Sequence, residues 1–229
     1  RALRVPPLLV PAGCSAGRDG PAPPVTLTAE LVTPVDIDLR WTGTDPEPAA
    51  RTVEFATEPA GPWTILGFLP PDRRTYRHPD LMPQTSFFYR VRPVHGPATA
   101  PVPLRLAAPS FDVSAPEDLD WAAPRTLPRT SARPVPGGAP TGLRVSVRSR
   151  DAVLVTWEDN AADEEGYLIE VRPEGAADWT VATVLDPDIT SVGVTALDVE
   201  RTAQLRLRAY RFGTPSNTAH RTTGGSLDG

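Results

Sequence analysis

Two stretches of this chain repeat each other in a single register. Trp157 stands 116 residues after Trp41, and the same step carries Trp63 to Trp179, Leu81 to Leu197 and Arg90 to Arg206. It also carries Leu27 to Leu143, Glu54 to Glu170, Thr64 to Thr180, Arg92 to Arg208 and the dipeptide Pro71-Asp72 to Pro187-Asp188. No gap is needed between the first of these pairs and the last. A fixed period constrains the fold more than composition does, because each copy must build the same kind of unit. At 229 residues the chain suits two domains of roughly 100 residues, each near the small end of what sustains its own core.

Within each copy apolar side chains recur at every second position, the spacing of strands that turn one face to a core. In Asp36-Ile37-Asp38-Leu39-Arg40-Trp41 the inward set is Ile37, Leu39 and Trp41, and the second copy offers Val153, Val155 and Trp157. Further strands are predicted over 52–57 and 168–172, over 64–69 and 180–185, and over 86–94 and 202–210. Turn signals separate them at intervals of about ten residues, as in a sandwich. The 29 prolines agree, since a residue without an N–H is barred from helix interiors.

On these residues each copy resembles a fibronectin type III domain. The family opens with Pro and an apolar strand, here 24–31 and 140–147, and its second strand ends in Trp. Its corner is matched by Leu81-Met82-Pro83-Gln84-Thr85-Ser86-Phe87-Phe88-Tyr89-Arg90-Val91, with Phe87 where the family has Tyr. The second copy reads Leu197-Asp198-Val199-Glu200-Arg201-Thr202-Ala203, so the corner tyrosine is missing from both. Residues 157–167 are similar to the loop that follows the second strand in bacterial extracellular members. The resemblance implies an all-β chain of two tandem seven-stranded antiparallel immunoglobulin-like sandwiches, over 24–107 and 139–224. Residues 1–23 are then a leader and tether, 108–138 a Pro-rich linker and 225–229 a tail. Sandwiches of this kind serve adhesion, receptor, spacer and scaffold roles alike, so the fold leaves the function open.

The formal charge of −5 and a pI near 5.3 argue against a nucleic-acid partner, whose phosphates call for a basic face. All 23 cationic side chains are arginine. With one cysteine, no intramolecular disulfide forms. No run approaches the roughly 18 apolar residues of a spanning helix. His78, His95 and His220 fall in different elements, with His95 assigned to the loop between the last two strands of the first copy. No nucleophile motif, Cys/His pair or phosphate loop occurs. The chain is therefore read as non-enzymatic, with no catalytic, cofactor or metal residues assigned. The densest acids are Glu158, Asp159, Asp163, Glu164 and Glu165, beside Asn160. They offer oxygens to calcium, but in no calcium-loop spacing; the other reading is solvated acids that cap turns.

Three features point to partners. Arg1 and Arg4 precede the apolar stretch 5–10 and then Pro11-Ala12-Gly13-Cys14-Ser15, which resembles the end of a bacterial lipoprotein signal peptide. That resemblance implies acylation at the Cys14 sulfur, with 15–23 as a tether. Pro11 stands where the family has Leu, and Pro6 and Pro7 interrupt the apolar region. The alternative is a Pro-rich tail with an incidental cysteine. In the linker Phe111, Val113, Leu119 and Trp121 stand among acids. They are read either as packing onto a sandwich of the same chain or as a docking segment for a partner protein. On the outward strand faces Phe88, Arg90, Arg92 and Val94, and Gln204, Arg206, Arg208 and Tyr210, alternate Arg with aromatics as a recognition face does. Alternatively the Arg stems cover the sheet and pair with Glu54 and Glu170 on the adjacent strand. The expectation is a non-catalytic, extracytoplasmic cell-envelope protein on a membrane lipid anchor, binding other surface proteins or a glycan. A structural subunit of a virion or secreted filament, or a spacer of a secreted polysaccharide-degrading enzyme, are the alternatives.

Overall fold

The computed structural model describes residues 24–43, 48–107, 120–129 and 133–225. The first half contributes β1 (Val25–Thr33), β2 (Asp36–Gly43), β3 (Ala50–Ala56), β4 (Thr64–Leu69), β5 (Thr75–His78), β6 (Ser86–His95) and β7 (Val102–Arg105). The second half contributes β8 (Thr141–Val147), β9 (Ala152–Glu158), β10 (Gly166–Pro173), β11 (Thr180–Leu185), β12 (Ser191–Thr195), β13 (Thr202–Phe212) and β14 (Ala219–Thr222). Each half stacks a three-stranded sheet, β1-β2-β5 or β12-β9-β8, on a share of one larger sheet ordered β11-β10-β13-β6-β3-β4. All strand pairs are antiparallel. The architecture is the all-β tandem of fibronectin type III-like sandwiches that the repeat implies, and Trp41 and Trp157 sit in the two cores as repeat partners.

The two sandwiches do not close in sequence order. β7 pairs with β13, placing Leu104 opposite Ala203, while β14 pairs with β6, placing Ala219 opposite Tyr89. Each half is thus completed by the last strand of the other. Leu104 belongs to the second core and Ala219 to the first. The crossing is nearly symmetric about the point where His95 of β6 faces Arg211 of β13. Thr99 N–H donates to Leu207 O (2.8 Å) and accepts at Oγ1 from Leu207 N–H (3.1 Å). Ser216 repeats this with Val91, at 2.8 Å through its N–H and 3.0 Å through Oγ.

Local chemistry fits the crossing. A type I′ hairpin centred on Gly96-Pro97 needs positive φ at both residues, which the proline ring forbids. Gly96, at φ 133°, instead carries the chain outward against β13, where a Cβ would lie 1.9 Å from Ala209 O. His95, expected in a loop, is therefore the last residue of a strand that continues into the other half.

The exchange also accounts for the long linker. β7 ends beside the start of β13, with Leu106 N–H donating to Arg201 O and Arg201 Nε donating to Ala107 O (both 2.8 Å). β8 begins near the opposite end of that half, where Val135 N–H donates to Asn160 O (3.0 Å) and Gly137 N–H to Asp163 Oδ1 (2.6 Å). The end of β7 and the start of β8 are therefore separated by the length of the sandwich, roughly 30 Å at the rise of a strand. On the way Arg125 bridges to Ser191 at the outer edge of β12.

The two corners differ. Leu81 is buried in the first core, whereas Leu197 is 64% exposed and Val199 70% exposed. A 3-10 turn over Asp198–Glu200 replaces the corner, and Glu200 Oε2 accepts from Leu197 N–H (2.8 Å).

Candidate interaction face

The repeated Glu and Arg positions meet in the same way in both halves. Glu54 on β3 is 2% exposed and receives Arg90 Nε at 2.5 Å and Arg92 Nη1 at 3.7 Å. Glu170 on β10 is 3% exposed and receives Arg206 Nε at 2.6 Å and Arg208 Nη2 at 3.2 Å. Trp63 stacks beneath the Arg90 guanidinium, 4.3 Å from its ring centre, and Trp179 beneath Arg206 at 4.2 Å and Arg172 at 4.7 Å. A cation over an indole face is attracted by the ring quadrupole, and burial strengthens the pairing. These arginines lie flat on the sheet and are held by Glu54 and Glu170, as their stems and spacing allow. Arg92 also caps the ring of Phe212 at 3.8 Å, and Phe88 stacks on His220 of β14 at 4.6 Å.

At the junction the outward faces turn into a core. Ala50 and Val94 of the first half and Leu168 and Tyr210 of the second form one buried cluster, with Phe68, Val181 and Phe212 packed against it. Tyr210 and Arg208 point away from their own sandwich core, as alternation requires, yet they are covered: Tyr210 meets Phe68 edge-on at 6.1 Å and Arg208 Nη1 donates to Gly96 O at 2.6 Å. The first half buries what its isolated neighbour would expose. Beside this cluster a groove of about 340 Å³ opens between the halves, walled by Phe68, Pro70 and Pro71 on one side and Asp178, Trp179 and Val181 on the other.

Trp121 packs within the chain. It lies in a 3-10 turn over Asp120–Ala122 against β12, where Gly193 admits it, since a Cβ there would sit 2.9 Å from the Trp121 ring and 2.4 Å from the Ala122 Cβ. Phe111, Val113, Leu119 and Cys14 lie outside the described residues.

The acidic loop disperses into separate contacts. Asp163 accepts from Gly137 N–H and pairs with Arg211 at 2.7 Å, and the Gly137 bond above all lowers its pKa. Asp159 accepts from Ala161 N–H at 3.0 Å and from the Tyr167 hydroxyl at 2.5 Å. Burial raises the Tyr167 pKa, and the Asp159 bond raises it further. Glu165 Oε1 accepts from Phe212 N–H at 3.2 Å. Asp159, Glu164 and Asp188 do approach within 4.8 Å of one another, and burial, followed by the neighbouring acids, raises the Glu164 pKa. Asp188 was not among the acids that the sequence brings together. Arg129 approaches Asp159 at 3.6 Å, so this trio already has a cation beside it.

His78, His95 and His220 stand apart. His78 is half-buried among Phe55, Phe87 and Tyr89, with Nδ1 3.1 Å from the Tyr89 hydroxyl. Desolvation lowers its pKa below the ordinary value.

Fold and face together define a tandem pair of fibronectin type III-like sandwiches with exchanged closing strands and a duplicated Trp-Arg-Glu cluster on a shared sheet. No family model matches the sequence. Among solved structures the chain is similar to a two fibronectin type III domain segment from chicken tenascin, at 14% identity over 86% of this chain and 96% of that one, with a TM-score of 0.29. It is also similar to the FN1–FN3 domains of chicken CNTN1, at 18% identity over 90% of this chain and 67% of that one, with a TM-score of 0.28. At these scores the fold assignment rests on strand order and register alone.

Proposed function

We propose that this chain is a non-catalytic binding or scaffolding protein of the cell envelope, anchored in the membrane through lipid on Cys14. The observation that carries the scaffolding part is the strand exchange. A scaffold must hold its two ends in a set relation, and two sandwiches that each contain a strand of the other are coupled by backbone hydrogen bonds as well as by the chain that connects them. The groove between the halves and the outer sheet face with Phe88, Arg90, Arg92 and Arg206 are the places offered to a protein or glycan partner. The anchoring part rests on Ala12-Gly13-Cys14 alone. Mass spectrometry of the protein from its native membrane tests it: a diacylglyceryl cysteine at Cys14 as the first residue is expected, and an intact peptide spanning 1–14 overturns the anchor. Affinity purification from those membranes with lipid retained is expected to recover a stoichiometric envelope partner.

A further inference from the structure

Two sheet edges related by the repeat are treated differently. β12 and β5 hold the same place in their sheets, since Ser191 faces Thr156 as Thr75 faces Arg40. At the outer edge of β12 an extended segment is bonded on: Arg125 N–H donates to Ser191 O (2.9 Å), and Thr190 and Ser191 N–H donate to Arg125 O (both 3.0 Å). Leu127 N–H adds a bond to Thr190 Oγ1 at 2.7 Å. At the outer edge of β5 no segment among the described residues takes that place. Because the register is the same, the backbone groups of Thr75 point outward as those of Ser191 do.

The side chains at the two edges differ in one consistent way. Ile189, Thr190 and Gly193 of the covered edge correspond to Arg73, Arg74 and Arg77 of the open one, and all three arginines are exposed. Arg77 meets Asp38 at 2.6 Å, while Arg73 and Arg74 have no carboxylate partner among the described residues. Arg77 also bars the 3-10 turn that covers β12, because that turn depends on the missing Cβ of Gly193. The open edge therefore suits a flat strand, and one of negative charge.

We propose that the outer edge of β5 adds an extended acidic segment of a partner protein as an antiparallel strand centred on Thr75, with carboxylates beside Arg73, Arg74 and Arg77. Main-chain bonds supply the affinity in strand addition and side chains the selectivity. Arginines on an edge can also serve only to repel other strands, and a binding experiment separates the two roles. The proposal rests on reading the chain as a partner-binding protein, but its test uses the isolated full chain, so loss of the Cys14 anchor would fail that reading and leave this one standing.

The probe is a peptide with fluorescein on its N-terminal amine, fluoresceinyl-Val-Asp-Val-Glu-Val-Asp-Val-amide, titrated into the isotope-labelled full chain at low salt. Saturable anisotropy is expected, with amide shifts confined to residues 73–78. A combined Arg73→Glu and Arg74→Glu variant is expected to bind at least about ten-fold more weakly while keeping its amide spectrum elsewhere. The same peptide N-methylated at alternate residues is expected not to bind. A flat titration overturns the proposal, as does equal binding of the N-methylated peptide. A dimer at this edge that the peptide fails to dissociate assigns the edge to a second copy and overturns it too.

Discussion

At the scale of single residues, the pairs that recur at the repeat spacing turn out to be contacts. Glu54 with Arg90 and Glu170 with Arg206 are legible in the sequence because both partners lie on neighbouring strands at facing positions. Removing one buried member leaves two guanidiniums without their anion, so Glu170→Ala is expected to cost about 3 kcal/mol of stability, within the range for breaking a buried pair. A lower urea midpoint at unchanged slope checks it. His78 gives a pH dependence. Burial holds its folded pKa below the ordinary value of about 6.5, so the unfolded chain takes up that proton first as pH falls. Its contribution is complete above about pH 6.5 and is lost as pH drops below that value toward the folded pKa. Urea midpoints measured from pH 8 to pH 5 are expected to fall less steeply in His78→Gln than in the parent chain. Tyr210 shows the limit of alternation, which gives the side of the sheet but cannot know that another half covers it.

At the scale of elements, the exchange makes a sharp claim about where damage appears. Leu104 is in the first copy by sequence and in the second core by structure. Leu104→Ala is expected to cost about 2–5 kcal/mol, the range for truncating a buried leucine, and to lower hydrogen-exchange protection at Val153, Val155 and Leu205 before Ile37 and Leu39. Loss of protection in the opposite order would mean that β7 closes its own half. Eight strands are legible from alternation, β2, β3, β4 and β6 with their repeat partners β9, β10, β11 and β13, because one buried face imposes a period of two; β5 and β12 are not. The partners of β7 and β14 were not. Each has only four residues, and a short strand with one buried leucine or alanine fits either sandwich equally well.

At the scale of the whole molecule, linker length and strand exchange depend on each other. A chain shortened by deleting 108–138 cannot return from the end of β7 to the start of β8, so it is expected to close each sandwich in sequence order. Its two halves are then expected to unfold in separable calorimetric transitions, where the parent unfolds in one. A single transition in the shortened chain would show that the exchange does not require the linker. The same geometry places 120–129 on the edge of β12, and among the described residues none covers β5 in that way, an asymmetry that a perfect repeat cannot express.

The all-β class, the number of sandwiches and the inward residues of their long strands are written in the chain, and the Glu and Arg pairs stand there as one of two readings, which the structure selects. All of these follow from local alternation and a fixed period, which act over a few residues or repeat without change. Which half each closing strand joins, what covers Tyr210 and Arg208, and which edge stays open were decided only in the tertiary structure. They depend on contacts far apart in the chain, such as Thr99 with Leu207, Val91 with Ser216 and Arg125 with Ser191. Such contacts are selected by the packing of both halves at once, and no window of the chain encodes them.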